Sequence, residues 1–204
     1  MCLRMKETLI FLKEFLLNQG QIGGVRPSSK ALARKMAATI PETLSPKRVL
    51  EIGPGTGNIT SEILNNLGKE DFLTLVEINP VFFKILQKKR EEWIKRDNCP
   101  KIEILNLDFL KHDPSQEFDV VIAGVPFNNF PQEIILAFIN KIKSILKSGG
   151  IFAYFEYLGA RKVKEIFGDQ PNSFYLKEIY PFLIKEKKVL KNLPPAKVNI
   201  LSFN

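Results

Sequence analysis

The chain has 204 residues, 45% of them hydrophobic, and a formal net charge of +8 at pH 7. This length and apolar fraction exclude a disordered protein and favour one ordinary domain with its own core. Cys2 and Cys99 lie far apart without a partner motif, so we expect a reducing compartment, no disulfide and no metal site. The single histidine, His112, lies in a polar Lys-His-Asp-Pro stretch that we interpret as a solvated loop.

The positive charge is concentrated at the two ends of the chain. Residues 1–40 hold seven basic and two acidic residues, residues 158–204 hold nine and four, and the middle holds 14 and 16. Basic ends around a near-neutral middle predict an anionic partner, either nucleic acid or a membrane rich in anionic lipid. Solubility alone is the alternative explanation, and nothing in the sequence sets the oligomeric state.

Residues 1–40 are predicted to form a basic, helical N-terminal cap. Apolar residues recur at near-helical spacing before Asn18-Gln19-Gly20, and Pro27-Ser28-Ser29 offers a second helix start. The first helix is amphipathic, and it either packs on the domain or rests in a lipid interface. The apolar run 9–12 is broken by Lys13 and is far too short to span a membrane. We therefore expect a cytoplasmic protein that can bind the inner face of the cell membrane.

From residue 48 onward, strand and helix patterns alternate, which predicts an α/β domain over residues 41–204 with a mostly parallel sheet. The predicted strands are 48–53, 72–77, 101–106, 118–123 and 151–157, followed by a hairpin of 174–184 and 197–203 that turns through 192–195. The predicted helices are 57–67, 80–96, 131–147 and 160–167.

Residues 49–57, Val-Leu-Glu-Ile-Gly-Pro-Gly-Thr-Gly, join an apolar strand to a glycine-rich turn. Gly53, Gly55 and Gly57 let the backbone turn sharply and approach a ligand, while Glu77 at the end of the next strand can accept from both ribose hydroxyls. This combination predicts a nucleoside site. Asn58 stands where the dinucleotide fingerprint needs its third glycine, and no Gly-Lys-Ser/Thr follows to form a phosphate loop.

Ligands of open α/β sheets bind beyond the carboxyl ends of the strands. By position, Asp108 can accept from an adenine amino group, while Ile78 and Phe109 cover the two faces of the ring. Gly124 follows the fourth strand at the same edge. The alternative for Asp108 is a surface residue that caps the segment after it.

The pattern Glu-x-Gly-x-Gly-x-Gly at residues 51–57 resembles motif I of the class I S-adenosylmethionine methyltransferases. The resemblance implies a Rossmann-like, seven-stranded, mostly parallel sheet with helices on both faces. It also implies S-adenosylmethionine as the cofactor. The residues it assigns to the cofactor are Glu51, Gly53, Gly55, Gly57 and Glu77, together with Ile78, Asp108, Phe109 and Gly124.

Residues 50–55 and 76–78 are also similar to the ribosomal RNA adenine dimethyltransferases. That family uses Asn-Leu-Pro-Tyr after strand four to hold the amine of a flipped base. This chain has Gly-Val-Pro-Phe at 124–127, so the amide that aligns the amine is missing.

A longer resemblance is to the bacterial phospholipid N-methyltransferases, at residues 25–33, 51–57, 124–127, 155–157 and 192–198. It implies a peripheral enzyme that methylates the amine of phosphatidylethanolamine. Arg26 and Lys30 are then candidates for the lipid phosphate, Phe127 for the acceptor pocket, and Tyr157 for the amine or its methylated cation. Two alternatives remain: an RNA adenine or small-molecule N-methyltransferase, and a non-catalytic module that binds RNA or membrane.

Overall fold

The computed structural model describes residues 28–43, 46–126, 132–158 and 179–203. The helices are α1 (Lys30–Ala37), α2 (Asn58–Ile63), α3 (Pro80–Trp93) and α4 (Gln132–Ile145). The strands are β1 (Arg48–Ile52), β2 (Phe72–Val76), β3 (Lys101–Leu105), β4 (Phe118–Pro126), β5 (Leu146–Tyr157), β6 (Leu183–Val189) and β7 (Ala196–Ser202). The predicted first helix, the predicted helix at 160–167, Arg26 and Phe127 lie outside these residues.

The strands form one seven-stranded sheet in the order β3-β2-β1-β4-β5-β7-β6. Strands β1 to β5 are parallel, whereas β7 runs antiparallel to both of its neighbours. The predicted fold class is therefore confirmed. The order reverses direction between β1 and β4, and such a reversal opens a crevice at the carboxyl edge of a parallel sheet. This edge is where the sequence places the ligand.

Helices cover both faces of the sheet because side chains of each strand alternate between two apolar clusters. Leu50 and Ile52 belong to the cluster under α4, together with Phe138. Val49, on the opposite face, belongs to the cluster under α1, α2 and α3, which includes Met36. None of the described helices is long and apolar enough to cross a membrane.

The N-terminus of α1 is tied to two distant parts of the fold. Ser29 caps the helix, since its Oγ accepts from the N–H of Leu32 at 3.2 Å. The N–H of Ser29 donates to Oδ1 of Asn192 at 3.1 Å, in the turn between β6 and β7. The side-chain amide of Asn58 donates to the carbonyl of Ser28 at 3.3 Å. Residues 28 and 29 thus join the start of α2 to the β6–β7 turn at the carboxyl edge.

The predicted first strand of the hairpin, 174–184, agrees with the observed strand only at residues 183–184 among the described residues, and 174–178 lie outside them. Tyr180–Phe182 form a 3₁₀ turn, and the strand is Leu183–Val189. Pro181 removes a backbone donor and favours the turn. Residues 185–188, Lys-Glu-Lys-Lys, lack the apolar pattern that predicts a strand, although an edge strand can be polar. The partner strand and the turn at 192–195 are confirmed.

Strand β5 begins at Leu146, five residues before its predicted start, and α4 ends at Ile145. The register against β4 shifts between the pairs of Phe118 and Val120, next to Gly149 with φ +72°. The apolar pattern misses this part because 147–150 is Lys-Ser-Gly-Gly.

The prediction that His112 is solvated is wrong. Its side chain is buried with 8% exposure, and its ring lies 6.3 Å from that of Phe118 between centroids. Burial lowers the pKa of His112, so the imidazole is neutral at pH 7.

Candidate cofactor site

A pocket opens at the carboxyl edge where the strand order reverses. Its empty volume, including space open to solvent, is about 450 Å³. Pockets for small molecules commonly measure a few hundred cubic ångströms and are mostly apolar. The lining residues are Ile52, Gly53, Gly55, Val76, Glu77, Ile78, Leu107, Asp108, Phe109, Val125 and Phe138. Six of the predicted cofactor residues, from three different segments, are thus brought together.

The glycine loop has a backbone that only glycine adopts without strain. Gly53, Gly55 and Gly57 have φ of +65°, +57° and +82°. The N–H of Gly57 donates to the carbonyl of Pro54 at 2.9 Å, which closes the turn before α2. A Cβ added at Gly55 would meet no atom within 4 Å, so bare backbone faces open space there. A ligand can approach this peptide without a side chain between them.

Glu77 fixes the loop against the end of β2. Its Oε2 accepts from the N–H of Gly55 at 2.9 Å, and its Oε1 accepts from the N–H of Asn79 at 2.8 Å. The carboxyl group is 4% exposed, and this burial raises its pKa despite the opposing backbone hydrogen bonds. Each carboxylate oxygen has room for a second donor. Glu77 therefore keeps acceptor capacity toward the pocket that it lines.

Glu51 lies two residues before Gly53 and has no exposed surface. Thr60 donates its hydroxyl to Oε2 at 2.6 Å, while Oε1 has no partner among the described residues. Burial, with a smaller contribution from the charge of Glu77, raises the pKa of Glu51 to about 8. An unpaired buried oxygen is costly, at about 1–3 kcal/mol. A ligand that forms a hydrogen bond with this oxygen would recover that energy.

Ile78, Asp108 and Phe109 all line the pocket, as the adenine hypothesis requires. Oδ1 of Asp108 accepts from the N–H of Leu110 at 3.0 Å, so the capping role holds as well. Phe109 is 4% exposed, and its ring lies 5.1 Å from that of Phe138 between centroids. Packing thus fixes the ring of Phe109 at the pocket wall.

Gly57 and Gly124 act from outside the pocket lining. A Cβ at Gly124 would lie 2.6 Å from the carbonyl oxygen of Gly53. Because glycine has no Cβ, β4 can approach the glycine loop closely. A Cβ at Gly57 would lie 3.1 Å from Leu86 and 3.2 Å from Trp93 of α3. Both glycines hold the loop in position by allowing close packing.

Of the predicted acceptor-side residues, Lys30 and Tyr157 are described, and neither lines the pocket. Lys30 is exposed at the start of α1. Tyr157 is half-buried at the end of β5 and packs on the apolar cluster under α1, with its ring edge-on to Phe155 at 5.5 Å. Burial raises the pKa of Tyr157, so its hydroxyl stays protonated at pH 7.

Two asparagines that were not predicted from the sequence also support the site. Asn79 caps α3, since its side chain accepts from the N–H groups of Val81 and Phe82. The cap fixes the backbone directly after Ile78. Asn106 donates its side-chain amide to the carbonyl of Glu77 at 2.8 Å. Asn-Pro at 79–80 is a recognisable helix start, whereas the contact of Asn106 depends on strand pairing that the sequence does not display.

Comparison with known proteins agrees with this geometry. The methyltransferase domain family matches residues 49–150, half of the chain. Ornithine lipid N-methyltransferase of Singulisphaera acidiphila is 29% identical over 151 residues, which cover 72% of this chain and 77% of that protein. A probable ribosomal RNA small subunit methyltransferase A of Methanopyrus kandleri is 32% identical over 80 residues, which cover 39% of this chain and only 26% of that protein.

Among solved structures, magnesium protoporphyrin IX methyltransferase from Synechocystis, with bound SAH, superimposes with a TM-score of 0.70 at 14% identity. The superposition covers 96% of this chain and 100% of that chain. The chain belongs to the methyltransferase domain family. The prediction of a class I, S-adenosylmethionine-dependent methyltransferase is confirmed.

Proposed function

We propose that the chain is an N-methyltransferase that acts on a phospholipid head group at the membrane surface, with the amine of phosphatidylethanolamine as acceptor. S-adenosylmethionine supplies a methyl group activated as a sulfonium when it is bound. The pocket suits this group because it combines bare backbone at Gly55, acceptor oxygens at Glu77 and apolar walls at Ile78 and Phe109. The unpaired Oε1 of Glu51 offers a further hydrogen-bonding position to the same ligand.

The observation that carries the choice of acceptor is the contact between Gly124 and Gly53. Adenine methylation in the related RNA enzymes relies on an asparagine at the position of Gly124. Any side chain here would start 2.6 Å from a backbone oxygen, a distance that Cβ atoms essentially never show. The site therefore lacks both the amide and the space for it, which favours an amine that needs no planar base clamp.

Three further observations support a lipid acceptor. The lipid-modifying relative aligns over 72% of this chain, whereas the RNA-modifying relative aligns over 39%. The basic charge of the chain lies at its ends, and Lys30 is exposed at the carboxyl edge, where the pocket opens. An anionic bilayer attracts such a surface.

Methyl transfer needs alignment of two reactants more than covalent work by the protein. The glycine loop and Glu77 hold one reactant, while the end of β4 at 124–126 brings backbone close to it. The acceptor amine must lose a proton, since its ordinary pKa is near that of lysine, about 10, and an apolar site lowers this value. We assign Tyr157 to the amine or to the methylated cation, with a cation–π attraction of about 0.5–2 kcal/mol.

The second candidate is an RNA adenine N-methyltransferase, favoured by the ribosomal RNA methyltransferases that match 39% of this chain. A single assay separates the two. Purified protein receives cofactor with a labelled methyl group and, in parallel, vesicles of phosphatidylethanolamine with anionic lipid, vesicles of ornithine lipid, and ribosomal RNA. We expect label in phosphatidylethanolamine. Label only in ornithine lipid would change the head group, and label only in RNA would reverse the proposal.

A further inference from the structure

The turn between β6 and β7 presents two bare leucines to solvent. Leu190 is 71% exposed and Leu193 is 68% exposed, more than any other large apolar side chain among the described residues. Because β6 runs parallel to β5, the turn lies at the carboxyl edge of the sheet, the edge that holds the cofactor pocket. Isolated exposed leucines are ordinary, but two at one tip form a local apolar point.

The turn is held in place by hydrogen bonds to its own backbone, to α1 and to the end of β5. Asn192, between the two leucines, is 5% exposed and donates its amide to the carbonyl of Pro194 at 2.7 Å. Its Oδ1 accepts from the N–H of Ser29 at 3.1 Å. The N–H of Leu158, just beyond β5, donates to the carbonyl of Pro195 at 2.7 Å. The leucines are thus displayed by a fixed scaffold that is joined to α1 and β5.

Lysines surround the leucines. Lys188 and Lys191 are exposed on either side of Leu190, and exposed Lys30 follows Ser29, which contacts the turn. Residues 187–204 contain four lysines and no acidic residue. On the face toward α1, burial lowers the pKa of Lys187, and the charges of Lys185 and Lys35 lower it further. Lys197 is paired with Glu186 and Glu156, whereas Lys30, Lys188 and Lys191 form no ion pair with any of the described residues. These three lysines therefore carry the positive charge around the leucines.

We propose that Lys30, Lys188, Leu190, Lys191 and Leu193 form a docking surface for an anionic lipid bilayer. The leucines enter the interface while the lysines contact lipid phosphates. The inference rests on the proposed function in that it states how the pocket meets its lipid. It also assigns an orientation: the carboxyl edge, with the cofactor pocket, faces the membrane.

The chemistry of the docking surface favours lipid over other anionic partners. Single-stranded nucleic acid is bound through aromatic side chains and arginine planes that stack on bases, whereas these five residues are aliphatic or lysine. A second copy of the chain would bring the same lysines face to face, and like charges oppose that contact.

Vesicle co-sedimentation tests the proposal with full-length protein. Vesicles of phosphatidylcholine alone are compared with vesicles that also contain phosphatidylglycerol. The variants are Leu190→Ser/Leu193→Ser and Lys188→Gln/Lys191→Gln. The matched control is Ile94→Ser, because Ile94 is 51% exposed just after α3, at the opposite edge of the sheet. Thermal unfolding and calorimetry with S-adenosylhomocysteine check that each variant is folded with an intact pocket.

We expect the leucine pair to lower partitioning into anionic vesicles at least tenfold, about 1.4 kcal/mol. The lysine pair should remove the preference for anionic over neutral vesicles, and the Ile94 control should match the parent. Unchanged partitioning of the leucine variant would overturn the proposal. Binding of RNA through the lysines, with no dependence on the leucines, would also overturn it. The same holds if the only effect of the leucine variants is to convert a dimer to a monomer.

Methyl transfer to lipid in detergent micelles separates the two proposals. If the leucine variant loses vesicle binding but methylates micellar lipid, both stand. If neither parent nor variant methylates lipid while vesicle binding still depends on the leucines, the proposed function fails and the docking surface remains. If lipid is methylated and vesicle binding ignores the leucines, docking fails alone.

Discussion

Two buried carboxyl groups flank the glycine loop, and their hydrogen-bond partners give them different roles. Glu77 accepts from two backbone N–H groups and lines the pocket. Glu51 accepts from one hydroxyl and keeps one oxygen unpaired. The first arrangement holds the loop and leaves acceptor capacity toward the pocket. The second stores a group that is protonated in the protein at neutral pH.

Replacing Glu77 by alanine should weaken binding of S-adenosylhomocysteine by about 1–3 kcal/mol, because the ribose hydrogen bonds and the anchor of Gly55 are lost together. Isothermal titration calorimetry measures the change. Glu103→Ala is the matched control, since Glu103 is an exposed carboxylate on β3. An affinity of the Glu77 variant equal to that of the control would refute the assignment of Glu77 to the cofactor.

Glu51 should make the protein without ligand less stable as pH rises. Its pKa is raised from 4.5 to about 8 in the folded chain, so its contribution is complete below about pH 4.5 and is lost as pH rises to about 8. The loss is of the order of 3–5 kcal/mol. The free energy of unfolding, measured with urea across this pH range, should fall with pH for the parent. It should change less for Glu51→Gln, because glutamine stays neutral. Parallel profiles for the two proteins would show that Glu51 is ionised at pH 7.

At the scale of elements, the glycine loop depends on β4 as much as on its own sequence. Gly124→Ala should lower the free energy of unfolding by about 1–3 kcal/mol, because its Cβ would force β4 away from Gly53. Gly68→Ala is the control, since the nearest atom to a Cβ there is 3.6 Å away. Urea midpoints measure both. Equal urea midpoints for the two variants would mean that β4 moves away from Gly53 without a loss of stability.

The sequence predicted those elements whose signals are local. The β1 strand, the glycine turn and Glu77 fall in one stretch of about 30 residues, the usual size of a strand–helix–strand unit, and the structure brings Gly53, Gly55 and Glu77 together. The long-range contacts were out of reach. Neither the proximity of Gly124 to Gly53 nor the raised pKa of Glu51 follows from spacing, because both arise where separate strands meet.

Strand β6 was placed poorly because its sequence carries little local signal for a strand. Most of its residues are exposed and residues 185–188 are charged, as an edge strand allows, so the sequence shows no apolar alternation there. The apolar residues at 180–184 extended the predicted strand over the 3₁₀ turn Tyr180–Phe182, and the prediction ended at 184 although β6 continues to Val189. Burial of His112 beside Phe118 is likewise a tertiary effect, since the residues around it are polar.

For the whole molecule, the unequal distribution of charge predicts that membrane binding involves both ends of the chain. Deleting residues 1–17, which carry the predicted amphipathic helix, should reduce partitioning into anionic vesicles. Co-sedimentation measures this reduction, and unchanged affinity for S-adenosylhomocysteine shows that the domain is intact. Equal partitioning of the truncated and full-length proteins would assign membrane binding to the rest of the chain.

The central claim is that one pocket at the carboxyl edge holds the cofactor, and a crystal structure of the chain with S-adenosylhomocysteine tests it most directly. We expect the ribose at Glu77, the adenine between Ile78 and Phe109, and the amino-acid end along Gly53 and Gly55. A ligand bound elsewhere, or a pocket filled by side chains of the protein itself, would contradict the account.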